Sequence, residues 1–275
     1  MPELPEVETI VRGLKSELVG QRVKEFRFLS PHLEKEQLPG SFQPATYKGR
    51  KILDIRRRGK MIIIEFEGRL GWLVHLKMTG QLFLTEPECK IDKHTHALLK
   101  FYRLKKELRF RDIRKFGFLN CLDLTQIEGK IGNDLGPEPL EIDLASFKRL
   151  LKTHGKKRLK NWLLDQKIIA GIGNIYSDEI LFRAGLNPFR LAGSLTDREA
   201  TRLYRAMKRV LKEAIAFKGS SISDYVDASG ERGRFQERHR VYAREGRLCP
   251  RCRQEKIIRK KINGRSTFFC PGCQD

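Results

Sequence analysis

The feature that most restricts the fold of this chain is a doubled Cys-x2-Cys motif near its end. Seventeen residues separate the two pairs, which are Cys249 with Cys252 and Cys270 with Cys273. Two Cys-x2-Cys motifs at this separation are typical of a tetrahedral four-cysteine zinc site. The alternatives are two disulfides or a redox motif. Because four thiolates close the coordination sphere, the sequence predicts one structural Zn²⁺ and no catalytic metal.

The charge balance narrows the class of partner. Lys and Arg number 56 and Asp and Glu number 34, so the formal net charge is 56 − 34 = +22. Such an excess favours a polyanion, with nucleic acid as the first candidate and a solvated basic surface or a membrane surface as the alternatives. No apolar run is long enough for a transmembrane helix, and the acidic start MPELPEVET does not resemble a secretory signal. We therefore expect a cytoplasmic protein whose cysteines are not in disulfides.

The segment between the two cysteine pairs predicts a β-hairpin. It ends in KKINGRSTFF, in which Asn263-Gly264 is a typical two-residue hairpin turn. Arg265 follows the turn, so a metal-stiffened hairpin could present it to DNA. Cys89 and Cys121 stand alone in apolar strand patterns and are expected to be buried thiols.

The hydrophobic period changes along the chain and predicts an α+β multidomain fold. A leading helix runs from Pro5 to a closing Gly20, and residues 22–122 then alternate in short runs typical of a β-sandwich or barrel. The Gly- and Pro-rich stretch 133–141 indicates a linker. The predicted parts are a β-sandwich domain over residues 1–132, a linker over 133–141, a helical domain with a loop over 142–235, and a zinc finger over 236–275.

Helical periodicity dominates after the linker, where four helices are predicted over residues 144–152, 157–165, 174–184 and 196–218. Thr196 and Glu199 form a capping box for the last of them. The Gly171–Asn174 turn precedes the third helix, where free N–H groups can bind a phosphate, although a plain tight turn explains it equally well. Residues 220–240 are polar and are expected to form a long mobile loop.

The ordered set of motifs resembles bacterial formamidopyrimidine-DNA glycosylases over essentially the whole chain. The motifs are PELPEVET, RRRGK before a strand, HLKMTG, DIRKFG, NDLGPEPL, DQKIIAGIGNIYSDEILF and the four-cysteine hairpin. The resemblance implies a β-sandwich, a helix–two-turn–helix domain and a zinc finger. It also implies base-excision repair of 8-oxoguanine and ring-opened purines in double-stranded DNA, by a monomer.

The resemblance assigns the chemistry to the N-terminus. Removal of Met1 would free Pro2, whose secondary amine would attack the deoxyribose C1′ and form an iminium that promotes β- and δ-elimination. Glu3 would be the general acid and base, and Glu6 a supporting carboxylate. The alternative for either carboxylate is a favourable charge in the first turn of a helix. Lys60 would approach the damaged nucleotide, whereas outside the family it would be a solvated turn lysine.

The resemblance also assigns contacts to an extruded nucleotide and its phosphates. Met78, Arg114 and Phe116 would fill the gap in the duplex, although Met78 and Phe116 would more often be core residues outside the family. Three further matches to the family are phosphate contacts: His75, Asn174 and Arg265. Lys160 is a weaker candidate for the same role. A loop over residues 219–235 would cover the extruded base, and Ser220, Ser221 and Tyr225 could contact that base.

Some positions depart from the family, and other functions stay open. Ile113 replaces a common Pro and Lys115 a common Arg, so the loop that holds Arg114 and Phe116 could be looser; Ala243 replaces a common Gly. One alternative is an endonuclease VIII-type glycosylase for oxidised pyrimidines. Another is a non-enzymatic zinc-ribbon DNA-binding protein, which explains the charge and the cysteines but not the Pro-Glu start.

Overall fold

The computed structural model describes residues 1–275 and divides the chain into two compact units. The first unit comprises Met1–Asn133 and Phe217–Arg234, and the second Asp134–Ala216 and Phe235–Asp275. The segment 217–234, expected in the helical domain, therefore groups with the first unit. No helix combines the length and the apolar character needed to cross a bilayer.

The first unit has two antiparallel four-stranded sheets with a shared core. Their strand orders are β1-β6-β7-β5 and β2-β3-β4-β8. One hydrophobic cluster takes residues from both sheets and from the leading helix α1, as expected for a β-sandwich. The strands are β1 Val23–Phe28, β2 Ile52–Arg58, β3 Met61–Phe66, β4 Leu70–His75, β5 Gly80–Thr85, β6 Thr95–Phe101, β7 Glu107–Asp112 and β8 Phe118–Asp123.

Three helices accompany these sheets: α1 Leu4–Leu18, α2 Pro31–Lys35 and α3 Leu124–Asp134. The predicted stripe of α1 is buried, and the helix ends two residues before Gly20, which has a φ of +91°. The pattern did not predict α3, which starts directly after β8 and buries only two of its residues.

The second unit holds four α-helices and the two strands of the hairpin. They are α4 Leu144–Thr153, α5 Leu159–Leu164, α6 Asn174–Ala184, α7 Asp197–Ala216, β9 Ile258–Ile262 and β10 Arg265–Phe269. The capping box of α7 is confirmed, because the Thr196 and Glu199 side chains each accept the other's backbone N–H. This helix ends earlier than predicted, before Lys218 and Gly219, which both have positive φ.

Two other expectations are wrong. Cys121 is buried, but Cys89 is exposed. The segment 220–240 is not a loop without fixed contacts: its first part is held on the start of α1, and its later part contains a short 3₁₀ helix over Phe235–Arg238.

Candidate functional site

The start of α1 places two carboxylates beside Pro2. Pro2 is buried, Glu3 is 2% exposed and Glu6 is 1% exposed, whereas Met1 is 40% exposed. While Met1 is attached, the nitrogen of Pro2 is an amide. Removal of this exposed residue would turn the Pro2 nitrogen into a secondary amine, directly before Glu3 in the chain. A nucleophilic amine and a carboxyl group that can donate a proton are the two groups that amine-based covalent catalysis uses.

Glu6 holds two backbone segments with one carboxylate. Its Oε2 accepts the N–H of Glu3 at 2.8 Å, and its Oε1 accepts the N–H of Ser220 at 2.7 Å. Gly219 is required at this junction, because its φ is +76° and a Cβ there would lie 2.6 Å from Glu6 Oε1. Glu6 therefore fixes the backbone of Glu3, and this bond is how Glu6 could support Glu3.

The segment 217–234 is folded back on the start of α1. The Tyr225 hydroxyl lies 3.3 Å from the Glu6 carbonyl oxygen and 3.1 Å from that of Lys218. Ser221 Oγ donates to the Tyr225 carbonyl at 2.8 Å and accepts the N–H of Gly233 at 2.9 Å. Ser220, Ser221 and Tyr225, considered as base contacts, are thus buried and bonded to Glu6 or to the segment itself, whereas Ile222 beside them is exposed.

Lys60 lies in the turn between β2 and β3 and is buried, so the expectation of a solvated lysine does not hold. Gly59 before it has a φ of +58°, which the tight turn requires. His75, at the end of β4, pairs with Met61 across the sheet. Burial, then the charges of Lys77 and Lys60, lowers the pKa of His75 to about 3.

The tautomer of His75 follows from its hydrogen bond. Its Nδ1 lies 2.9 Å from the backbone nitrogen of Lys77, whose N–H needs an acceptor. Nδ1 is therefore unprotonated, and the neutral ring carries its proton on Nε2. This leaves Nε2–H as a donor, which suits a phosphate oxygen.

We expect His75 to remain neutral at pH 5.5, because its pKa lies well below that value. Long-range ¹H–¹⁵N NMR spectra of the imidazole should give the pattern of the Nε2–H tautomer, with no titration between pH 8 and 5. An imidazolium signal for His75 at pH 5.5 would contradict the assignment.

Met78 and Phe116 are exposed by 42% and 54%, so the alternative that they are core residues is wrong. Each follows a residue in the left-handed region: Lys77 has a φ of +48° and Lys115 a φ of +56°. The Arg114 guanidinium lies 4.7 Å from the centre of the Phe116 ring. Two apolar side chains and a guanidinium thus project from two tight loops of the first unit.

In the second unit, Asn174 begins α6 directly after the glycine turn. Gly171 has a φ of +84°, as the turn requires. The side-chain Oδ1 of Asn174 is buried and has no hydrogen-bond partner. A 180° rotation of this amide would bring its NH₂ group to the same place, where it could donate to a phosphate at the helix N-terminus.

Lys160 is fully buried and bridges α5 to α6. Its Nζ donates to Asp178 Oδ1 at 2.7 Å and to the Asn174 carbonyl at 3.0 Å. Burial raises the pKa of Asp178 to about 7, against the lowering effect of Lys160. Lys160 thus supports the backbone of Asn174, and its expected phosphate contact stays a prediction.

Asp178 and Glu179 attach the cysteine module to α6. Asp178 Oδ2 accepts the N–H of Phe268, on β10, at 3.1 Å. Glu179 is buried and accepts the backbone N–H groups of residues 240, 241 and 242 at 2.9 to 3.0 Å. Burial raises the pKa of Glu179, and the three N–H groups and Arg183 oppose that rise. These two carboxylates were missed in the sequence, where a charged pair in a helix is typical of an exposed face.

The four predicted cysteine ligands converge. Their sulfur atoms all lie within 4.8 Å of one another, and both the Cys249–Cys273 and the Cys252–Cys270 pairs are 3.8 Å apart. A zinc tetrahedron with bonds of about 2.3 Å has edges of roughly 3.8 Å, so the spacing fits. The cysteines are free thiols, which removes the disulfide alternative.

The predicted hairpin is confirmed. Asn263 and Gly264 have φ values of +47° and +75°, and Ile262 pairs with Arg265 across the turn. Two positive φ values are the geometry of a type I′ turn. Arg265 is exposed at the tip, as expected. Ala243 also has a positive φ, +56°, so the turn keeps its left-handed geometry without the glycine common in the family.

Comparison with known proteins supports one family. A family model described as the formamidopyrimidine-DNA glycosylase N-terminal domain matches residues 1–119, and one described as the H2TH domain of the same enzyme matches residues 135–226. Curated proteins named formamidopyrimidine-DNA glycosylase include one from Carboxydothermus hydrogenoformans, 44% identical with full coverage of both chains. Another, from Solibacter usitatus, is 46% identical over 100% of this chain and 99% of its own.

Solved structures agree with these relatives. The Lactococcus lactis Fpg in complex with DNA containing an abasic site has a TM-score of 0.88 at 33% identity, with 99% of each chain covered. Its wild-type complex with DNA containing N7-benzyl-Fapy-dG has a TM-score of 0.89 at 33% identity, with full coverage of both chains.

Proposed function

The chain belongs to the formamidopyrimidine-DNA glycosylase family, and we propose that it excises oxidised purines from double-stranded DNA and then cleaves the strand as a lyase. The observation that carries the proposal is the buried Glu3 beside Pro2 at the start of α1, in a chain similar to these enzymes from end to end. The substrates are 8-oxoguanine and formamidopyrimidines.

The chemistry begins with the amine of Pro2 after Met1 is removed. An α-amine has a pKa near about 8, so much of it is neutral and nucleophilic close to pH 7. Its lone pair forms a bond to C1′ while the bond from C1′ to the base breaks. The base leaves with the electron pair and takes up the proton that the Pro2 nitrogen loses. Glu3 protonates the ring oxygen, which opens the sugar and leaves an iminium between Pro2 and C1′.

The iminium then drives strand cleavage. It has no N–H to lose, so it remains cationic and accepts electrons as the C2′ proton is removed. The C3′–O bond breaks first and the C5′–O bond second, each releasing a phosphate end. Water hydrolyses the iminium and regenerates Pro2. Glu3 carries protons between these steps, while Glu6 keeps the Glu3 backbone in place.

DNA recognition uses residues of both units. We assign Met78 and Phe116 to the gap left by the extruded nucleotide, since both are exposed, and Arg114 to the base that loses its partner. Lys60 offers a positive charge, and His75 an Nε2–H donor, to the phosphates or to the lesion nucleotide. The exposed Arg265 and the unpaired amide of Asn174 provide further phosphate contacts.

The four-cysteine cluster holds one structural Zn²⁺ in this proposal. Four thiolate donors at tetrahedral spacing favour zinc in a structural role. The metal would stiffen the hairpin that presents Arg265. A cytoplasmic location completes the proposal, because bacterial DNA is there and the thiols remain reduced.

Borohydride trapping tests the proposed reaction. The Met-processed protein should form a covalent adduct at Pro2 on a duplex with 8-oxoguanine opposite cytosine, identified by mass spectrometry. Undamaged duplex of the same sequence is the control and should give no adduct.

Two results would replace the proposal. An adduct only on an oxidised-pyrimidine duplex would assign the protein to the endonuclease VIII type. With Pro2 shown to be free, no adduct on either duplex would leave a zinc-ribbon DNA-binding protein without the chemistry.

A further inference from the structure

One fully buried carboxylate joins the two loops that carry the exposed wedge residues. Asp112 ends β7 and is 0% exposed. Its Oδ1 accepts the Thr79 hydroxyl at 2.5 Å and the N–H of Arg114 at 3.2 Å, and its Oδ2 accepts the N–H of Gly117 at 2.7 Å. Thr79 belongs to the loop 76–80 with Met78, and Arg114 and Gly117 belong to the loop 112–117 with Phe116.

Thr79 closes the connection from the other side. Besides donating to Asp112, its Oγ1 accepts the N–H of Arg114 at 3.2 Å. A hydroxyl can donate once and accept, so this side chain uses both capacities between the two loops. The loops are therefore joined by a compact network around one carboxylate, in which every bond involves Asp112 or Thr79.

The network matters because both loop tips are strained. Lys77 and Lys115 have positive φ, which is unfavourable for a residue with a Cβ, and each directly precedes a wedge residue. The Lys77 N–H is held by His75 Nδ1, and the Lys115 carbonyl accepts from His32 Nε2 at 2.9 Å. Strained conformations persist only where surrounding bonds over-determine them.

Close packing leaves these loops little freedom to shift separately. A Cβ on Gly117 would lie 3.0 Å from Asp112 Oδ2 and from the His75 carbonyl oxygen. A Cβ on Gly80 would lie 2.4 Å from the Leu76 carbonyl oxygen. Asp112 binds the N–H groups of Arg114 and Gly117, and so holds the backbone that carries Ile113 and Lys115. The looser loop expected from these two residues stays a prediction.

We propose that Asp112 and Thr79 are positioning residues for nucleotide extrusion, which hold the two wedge loops as one preorganised unit. The inference rests on the proposed wedge role of Met78, Arg114 and Phe116. Because these loops are ordered before DNA binds, their side chains can enter the duplex together without the cost of ordering two separate segments.

The test is the Thr79→Val variant, which keeps the shape of the side chain and removes the hydroxyl. The readout is stopped-flow fluorescence of 2-aminopurine next to 8-oxoguanine, which reports unstacking. We expect unstacking and excision to slow about tenfold, as for the loss of one well-placed hydrogen bond. Cleavage of single-stranded abasic DNA, which needs no insertion into a stack, should change less than about twofold.

A matched control exists in the same unit. Thr125, exposed in the first turn of α3, donates its hydroxyl to Asp123 at the end of β8. Thr125→Val therefore removes a bond of the same kind away from the wedge loops. It should unstack DNA at the wild-type rate.

Two further variants test the network itself. Thr79→Ser keeps the hydroxyl and should restore most of the lost rate. Asp112→Asn combined with Thr79→Val should slow unstacking less than the product of the two single effects, because the residues share one bond.

The outcomes separate this inference from the function on which it rests. Wild-type unstacking in Thr79→Val, or an equal loss of unstacking and single-strand cleavage, overturns the positioning role. Met78→Ala and Phe116→Ala test the wedge role itself in the same assay. If neither changes the fluorescence signal while wild-type protein still excises the lesion, the wedge assignment fails rather than the network.

Discussion

A single extra residue ahead of Pro2 is expected to abolish both base excision and strand cleavage, by about 10⁴-fold or more. Acylation turns the Pro2 nitrogen into an amide, whose lone pair is delocalised into the carbonyl and cannot attack C1′. The test uses protein released by a protease that leaves either Pro2 or Gly-Pro2 at the terminus. Rates are measured in single turnover on an 8-oxoguanine duplex.

Binding provides the control for that experiment. The extended protein should bind a duplex with an unreactive abasic-site analogue within about threefold of the processed form, since Met1 is already accommodated as an exposed residue. Retained excision by the Gly-Pro2 form would mean that another group is the nucleophile. Lost excision with lost binding would point instead to a blocked site.

The second large effect is expected from Cys252→Ser. Structural zinc contributes on the order of 10–16 kcal/mol to the folding of small zinc modules, and a missing thiolate removes much of it. Metal content should fall from about one per chain to near zero, and the hairpin should lose its fixed structure. The region 231–275 carries 13 basic and 5 acidic residues, so DNA affinity should fall on the order of 10²-fold.

Cys89→Ser is the matched variant, because Cys89 is exposed and lies outside the cluster. It should keep its metal and its affinity. Metal is measured by a colorimetric thiol-release assay and DNA binding by fluorescence anisotropy at fixed salt. Full metal content in Cys252→Ser would contradict the four-thiolate site, and full DNA affinity without metal would contradict the role of the hairpin.

Strong local patterns made much of the fold predictable. The cysteine spacing, the Asn263-Gly264 turn and the capping box at Thr196 are each fixed by nearby residues, and all three are confirmed. The exposure of Met78 and Phe116, in contrast, does not follow from the local pattern. Their chemistry alone favours the core, and only the motifs around them predicted a site on the surface.

The unpredicted features depend on long-range placement. Asp178 and Glu179 look like a solvent-facing pair in a helix, but α6 is buried on nearly every side and both carboxylates bind backbone N–H groups. Asp112 sits inside a recognised motif, yet nothing in the motif reveals that Thr79, 33 residues away, donates to it. The residues expected to contact DNA are thus recognisable from their motifs, whereas the residues that position them depend on contacts between distant parts of the chain.

The bond between Glu6 and Ser220 has a consequence for the order in which the protein is made. The two residues are 214 positions apart, so the first unit cannot complete the surroundings of Glu3 until its last segment has left the ribosome. At about 5–20 residues per second, that delay is on the order of 10–40 s. A nascent chain whose N-terminus has already left the ribosome therefore still lacks the Glu6–Ser220 bond. We expect activity to begin only once synthesis is nearly finished.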